Sequence, residues 1–276
     1  MSAPDMVIID SPALLEFSGP DAVRFLNGQL TQDVRRVAGG KTTLPSCVTD
    51  AKGRLQFRVW ITESPAGSLW VEGPAGSAQA LAARLTRYLI ADEVEVRDLT
   101  GVCRLIHLIG ETPAPPEGVI ARASRRFNAE GSDWWFPAES EPPLPARQLH
   151  GDELEALRIA NRVPLWGREL KEGLLPPEAG LDATDISYQK GCYIGQEVIS
   201  RVKSAGKVNK RLVRLDLETD STTDDLRLVD ETGADAGEIT SVSPIATGGT
   251  RAALAYLKRG AERVFHAGRE LRVSAG

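Results

Sequence analysis

The octapeptide Lys190-Gly191-Cys192-Tyr193-Ile194-Gly195-Gln196-Glu197 sets an amine, a thiol, an amide and a carboxylate around two glycines. Cys192, once deprotonated, is a nucleophile, a redox centre or a soft metal ligand, and Lys190 two residues away would favour its thiolate or neutralise an anion. Gln196 and Glu197 can donate to and accept from a polar ring. The glycines permit turn conformations or close backbone approach that a side chain would obstruct. A competing reading is that Cys192 is a small buried hydrophobe in a tight turn.

Several elements must hold this loop in place. Upstream, Ser18-Gly19-Pro20-Asp21 starts a helix on which Val23, Phe25, Leu26 and Leu30 form the apolar stripe, leaving Arg24, Asn27 and Gln29 on other faces. Thr42 to Thr49 and Leu55 to Thr62 read as a β-hairpin around the turn Asp50-Ala51-Lys52-Gly53. Ala75 to Leu89 reads as a helix, Leu69–Val71, Val94–Val96 and Val102–Ile109 as strands, and Gly151 to about Ala160 as a further helix with acids at its start. Two Pro-rich stretches, Thr112–Pro116 and Pro137–Pro145, bracket a segment ending in Trp134-Trp135-Phe136, which reads as core and rim. His107, alone in an apolar run, reads as a core histidine. Strands alternating with helices indicate an α+β fold of ferredoxin-like type. Beyond Gly206 apolar and charged residues alternate between turn signals, predicting a small C-terminal β-barrel. The expected division is therefore 1–205 and 206–276.

With a net charge of -5 the chain has no global attraction for nucleic acid or anionic membrane, so any basic surface must be local. One such run is Arg201 to Arg214, with six basic residues and no acid, suited to a glutamate tail, a phosphate or RNA, or else a solvated linker. Cys47, Cys103 and Cys192 are odd in number and far apart, which argues against a disulfide framework and for a reducing compartment. Cys47 and Cys103 lie in apolar strand patterns and are expected to be inert. No leader pattern opens the sequence and no apolar run approaches the ~20 residues of a membrane span, so a cytoplasmic, soluble protein without a membrane partner is expected.

The octapeptide fits the signature K-G-C-[FY]-x-G-Q-E of the YgfZ-like family at all eight positions. EALRIANRVPLWGREL, LLPPEAGLDATDISYQ and GPDAVRFLNGQLTQDV also resemble that family, so the likeness covers nearly the whole chain. The resemblance implies a fold like that of the glycine cleavage T-protein, an aminomethyltransferase: two intertwined α+β parts around a central cavity, followed by the barrel. It also implies a folate-binding accessory factor for assembly or repair of iron-sulfur clusters in target enzymes, including tRNA-modifying ones, with those enzymes or assembly proteins as partners.

On this resemblance the cofactor is tetrahydrofolate or a derivative, weakly held, and the candidates for its cavity are Lys190, Tyr193, Gln196, Glu197, Arg201, Asn27 and Arg24. Cys192 is the candidate functional thiol and a transient iron-sulfur contact; with no second cysteine at ligand spacing, no stable metal centre is expected. Two departures from the T-protein follow, the first weighing against a one-carbon transferase and the second against tight folate binding. Phe57 and Arg58 stand where the T-protein has a pair of Asp residues, one of which serves the transfer, and neither can act as that carboxylate. Ala160 stands where a pterin-pairing Glu would fall, leaving Asn161, Glu178 or Glu197 to replace it. A tRNA-binding module is a further alternative, resting on the basic run alone and lacking an RNA-recognition signature.

Overall fold

A computed structural model describes residues 4–141, 146–221 and 225–274. Part of the second Pro-rich stretch, 142–145, lies outside the described residues. The chain starts in one sheet with β1 (Asp5–Ile9) and crosses to another for β2 (Ala13–Ser18), β3 (Leu44–Thr49), β4 (Leu55–Glu63), β5 (Leu69–Gly73) and β6 (Glu95–Asp98). It then returns to the first for β7 (Cys103–Ile109), β8 (Ile120–Ser124), β9 (Gly131–Pro137) and β10 (Arg147–Gln148). The resulting strand orders are β10-β1-β7-β9-β8 and β3-β4-β5-β2-β6. This return is what intertwines the two α+β parts.

Helices α1 (Ala22–Gln29) and α2 (Ala78–Thr86) cover the second sheet. Phe25 and Leu26 of α1 and Leu81 and Leu85 of α2 meet Phe17, Val59, Ile61 and Val71 of the strands in one buried cluster. The 3.6-residue period of each helix places its apolar side chains on the sheet, and burial of each large one stabilises by roughly 1.5–3 kcal/mol. Trp134 and Trp135 are both buried on β9, as core residues. His107 is buried too, its Nδ1 paired with Asp133 Oδ1 at 2.8 Å.

Helix α3 (Gly151–Ala160) leads into a segment of turns and short 3-10 helices (Pro176–Ala179 and Leu181–Ala183), and α4 (Gln196–Ala205) follows the octapeptide. The last six strands, β11 (Lys210–Glu218), β12 (Arg227–Val229), β13 (Asp235–Thr247), β14 (Thr250–Lys258), β15 (Val264–His266) and β16 (Arg269–Ser274), close in the order β11-β14-β13-β12-β15-β16. Closure removes sheet edges and lets Leu215, Leu228, Ile239, Leu257 and Val264 fill the interior. Buried Arg158 on α3 ties this barrel to the rest: its guanidinium bonds Glu155, Glu169 and the Ser241 hydroxyl of β13. Among the described residues no helix is long and apolar enough to cross a membrane.

Candidate functional site

The octapeptide is the end of a loop and the first turn of α4. Gly195 immediately precedes the helix with φ of +87°, and a Cβ there would lie 2.5 Å from Asp50 O and 2.8 Å from Gly53 Cα. Gly53, at φ +70°, is the opposing contact, so the hairpin tip and the loop touch backbone to backbone. Gly191 is different: a Cβ would meet nothing within 4 Å. Thr49 Oγ1 donates to Ile194 O at 2.6 Å and Ile194 N to Gly28 O at 3.1 Å, stitching the loop to the hairpin and to α1.

Lys190 points inward. Its Nζ donates to the carbonyls of Asn27, Leu30 and Gln32 at 2.7, 2.8 and 2.7 Å. These lie at and just beyond the C-terminus of α1, where carbonyls lack helical partners and a cation is favoured by the helix dipole. Burial pushes the ammonium down to about 7, while the Asp33 charge acts the other way. Lys190 also sits 5.3 Å from the Tyr193 ring centroid. Tyr193 is buried with Ile186 and Ile199, and its N–H donates to Gln196 Oε1 at 3.3 Å. Asn27 Oδ1 accepts from Val34 N at 3.1 Å, holding the turn after α1.

Asn27, Lys190, Tyr193 and Gln196 thus form one supporting frame. Arg24 lies on the outer face of α1 and pairs with Asp21 and Asp92, and Glu197 pairs with Arg201 at 2.8 Å on the solvent side of α4. Cys192 is exposed on the loop that this frame holds. The other thiols differ: burial pushes that of Cys47 well above its ordinary value and raises that of Cys103. Among the described residues no group of three or more His, Cys, Asp or Glu side chains is placed to hold a metal ion.

A cavity of about 580 Å³ lies beside this frame, walled by Gln32, Thr43, Arg58, Ser124, Gly131 and Ile186 among others. A second, of about 260 Å³, lies on the other side of Arg58 and contains Trp60, Glu72, Arg126 and Trp166. Arg58 stands between them, its Nε and Nη2 donating to Asp185 at 2.7 and 3.1 Å, while the Thr184 hydroxyl adds a bond of 2.6 Å to the same carboxylate. Phe57 stacks on Trp166 with ring centroids 6.2 Å apart. On the wall of the larger cavity the buried hydroxyls of Thr43 and Ser124 have no hydrogen-bond partner among the described residues. None of Arg24, Asn27, Lys190, Cys192, Tyr193, Gln196, Glu197 or Arg201 is among the residues lining these two cavities. The link is Gln32, whose carbonyl accepts from Lys190 and whose Oε1 accepts from Arg36 on the cavity wall at 3.2 Å.

Behind the smaller cavity runs a buried chain: Arg126 bonds Glu72 and Asp133, and Asp133 bonds His107. Burial raises the Glu72 carboxyl against the pull of Arg126. At Asp133 burial also acts upward, but Arg126 and His107 together hold the carboxyl below its ordinary value.

Sequence reasoning missed α4, Asp185 and this chain. A Glu197–Arg201 pair at i,i+4 was the available signal for α4; nothing local marks Asp185. Of the three substitutes for the carboxylate lost at Ala160, Asn161 caps α3 and Glu197 is exposed. Glu178 is buried in a different cleft, against the barrel.

The fold is shared with the crystal structure of the glycine cleavage system aminomethyltransferase T from Bartonella henselae, with a TM-score of 0.79 over 99% of this chain and 85% of that one at 18% identity. No family model matches the sequence. An uncharacterised Haemophilus influenzae protein is 32% identical over 209 residues, 72% of this chain and 68% of that protein. The tRNA-modifying protein YgfZ of Escherichia coli is 27% identical over 239 residues, 76% of this chain and 71% of YgfZ. A mitochondrial iron-sulfur cluster assembly factor IBA57 homolog of Chaetomium globosum is 28% identical over 237 residues, and the chain spans only 54% of its length. These define a protein of the aminomethyltransferase T fold whose octapeptide is framed by α1, the β3–β4 hairpin and α4. The chain belongs to the YgfZ-like family.

Proposed function

We propose that this protein is a folate-binding accessory factor for the assembly or repair of iron-sulfur clusters in target enzymes, including tRNA-modifying ones. The observation that carries this reading is the exposure of Cys192 on a loop whose neighbours Lys190 and Tyr193 are buried and fixed. A thiol held outward by a rigid frame suits brief contact with iron, sulfide or a damaged cluster on a partner. The relatives' names, cluster assembly factor and tRNA-modifying protein, agree with that use.

Tetrahydrofolate or a derivative is the ligand assigned to the cavity beside Arg58. Its 580 Å³ is within the ~300–1,000 Å³ usual for such sites. Unpartnered Thr43 and Ser124 hydroxyls suit a polar ring, and Arg36 and Arg125 suit a carboxylate tail. Lys190 and Asn27 serve this site through the backbone they fix around Gln32, while Tyr193 and Gln196 hold the loop. Aminomethyl transfer is not part of the proposal, because Phe57 is stacked on Trp166 and Arg58 is committed to Asp185.

The test is the activity of iron-sulfur enzymes in cells lacking this protein, restored with wild-type or variant chains. Restoration by wild type and failure with Cys192→Ser is expected; no loss of enzyme activity on deletion would overturn the proposal. Calorimetric titration with tetrahydrofolate should give an affinity that falls with added salt, since much of the attraction for the tail is charge.

A further inference from the structure

A third cavity, of about 680 Å³, lies outside the site just described, between the barrel and the segment from Arg168 to Glu178. Its walls share no residue with the two cavities beside Arg58. Charged side chains line it, and half of them are already paired. Arg168 is bonded to Glu155, Glu169 to Arg158, Arg227 to Asp225 and Lys258 to Asp235.

Glu178 is the exception that is also buried. It is 7% exposed, has no ion pair among the described residues, and accepts a single long hydrogen bond, 3.4 Å, from Leu175 N. A carboxylate removed from water calls for a charged or multiple-donor partner. Tyr256 shares the cleft, and its hydroxyl is pushed up by burial and by the charges of Glu169 and Glu178. Two cations of the same wall lack a carboxylate partner among the described residues: exposed Lys171, and Lys210, whose Nζ rests 4.3 Å from the Tyr256 ring centroid.

We propose that this cleft binds a small molecule with an ammonium or guanidinium group at one end and a carboxylate at the other, as in an amino acid or a short peptide. The buried Glu178 carboxylate receives the cationic end in a charge-assisted hydrogen bond, which is worth more in a low-dielectric site than at the surface. Lys210 and Lys171 receive the acid end, and the Tyr256 ring forms the side wall between them. Both ends of the ligand are needed, because Glu178 and the two lysines attract opposite charges.

Calorimetry on the full chain tests this with L-glutamate, L-arginine and the dipeptide Gly-Glu, against glutarate and 1,5-diaminopentane as acid-only and amine-only probes. The amino-carboxylates should bind at least tenfold more tightly than either control. Glu178→Gln keeps the shape and should weaken them at least tenfold. Lys210→Met, at a half-buried position on β11, should do the same and serves as the second variant if the Glu178 variant proves unstable. Failure of every amino-carboxylate to bind at millimolar concentration, equal binding of the amine-only probe, or undiminished binding by Lys210→Met would each overturn the proposal.

Discussion

The octapeptide loop and the cavity beside Arg58 each contain a buried cation, and the two are satisfied in opposite ways. Lys190 is held by three neutral carbonyls, so its charge is solvated but not compensated, and burial drives its ammonium down to about 7. Arg58 is held by the carboxylate of Asp185 in a two-point pair. The first arrangement fixes backbone, tying the end of α1 to the loop; the second fixes a side chain as a partition between two cavities. In the loop the residue left outside the frame is Cys192, the exposed thiol on which the proposed function rests. In the cavity the polar groups that the pair does not use include the hydroxyls of Thr43 and Ser124.

The sharpest break in this comparison is functional. Cys192→Ser should abolish restoration of iron-sulfur enzyme activity while changing stability by less than about 0.5 kcal/mol, as expected for an exposed position. Cys47→Ser should restore activity whenever it folds. Alkylation followed by peptide mass spectrometry should label Cys192 in the native protein and Cys47 only on unfolding, because Cys47 is buried and its thiol is raised.

Next come the two cations. Asp185→Asn removes the partner of a mostly buried guanidinium and should cost about 3–5 kcal/mol in denaturant unfolding. Lys190→Met leaves three carbonyls without their donor and should cost about 3 kcal/mol. Only the lysine change should alter the pH profile near neutrality. With the folded ammonium near 7 and an ordinary unfolded lysine near 10.4, the unfolded chain binds an extra proton between those values. Stability therefore rises with pH across that window and is lower below it. Thermal melts from pH 7 to 10 should show this slope in wild type and a flatter one in Lys190→Met.

Smaller effects separate the glycines and the surface pair. Gly195→Ala must adopt a left-handed conformation and push against Asp50 and Gly53, at a cost of about 2 kcal/mol or more, whereas Gly191→Ala meets nothing and should be nearly neutral. Glu197→Ala breaks an exposed i,i+4 pair and should change stability by no more than about 0.5 kcal/mol. A cost at Gly191 equal to that at Gly195 would show that the loop is not seated on the hairpin tip.

What the sequence determined by itself is what neighbours within a few residues decide. Ser18 to Asp21 start α1, Asp50 to Gly53 turn the hairpin, and the alternation in Leu212 to Leu217 builds β11. Even here a local pattern was missed: Gly195 and Gly206 bracket α4 in left-handed conformation, and its sparse apolar residues make it resemble a polar linker. The tertiary structure decided which way each functional group faces. Lys190 and Cys192 are two residues apart, yet one is buried and the other exposed, because the carbonyls that capture Lys190 come from residues 158 to 163 positions away. Arg58 looked out of place in sequence because its partner Asp185 lies 127 residues on. Glu178 fell into the barrel cleft rather than the central cavity because the barrel packs on the segment that carries it. Such partners are chosen by how sheets, helices and barrel close on one another, and no pattern within a short stretch of chain encodes that distance.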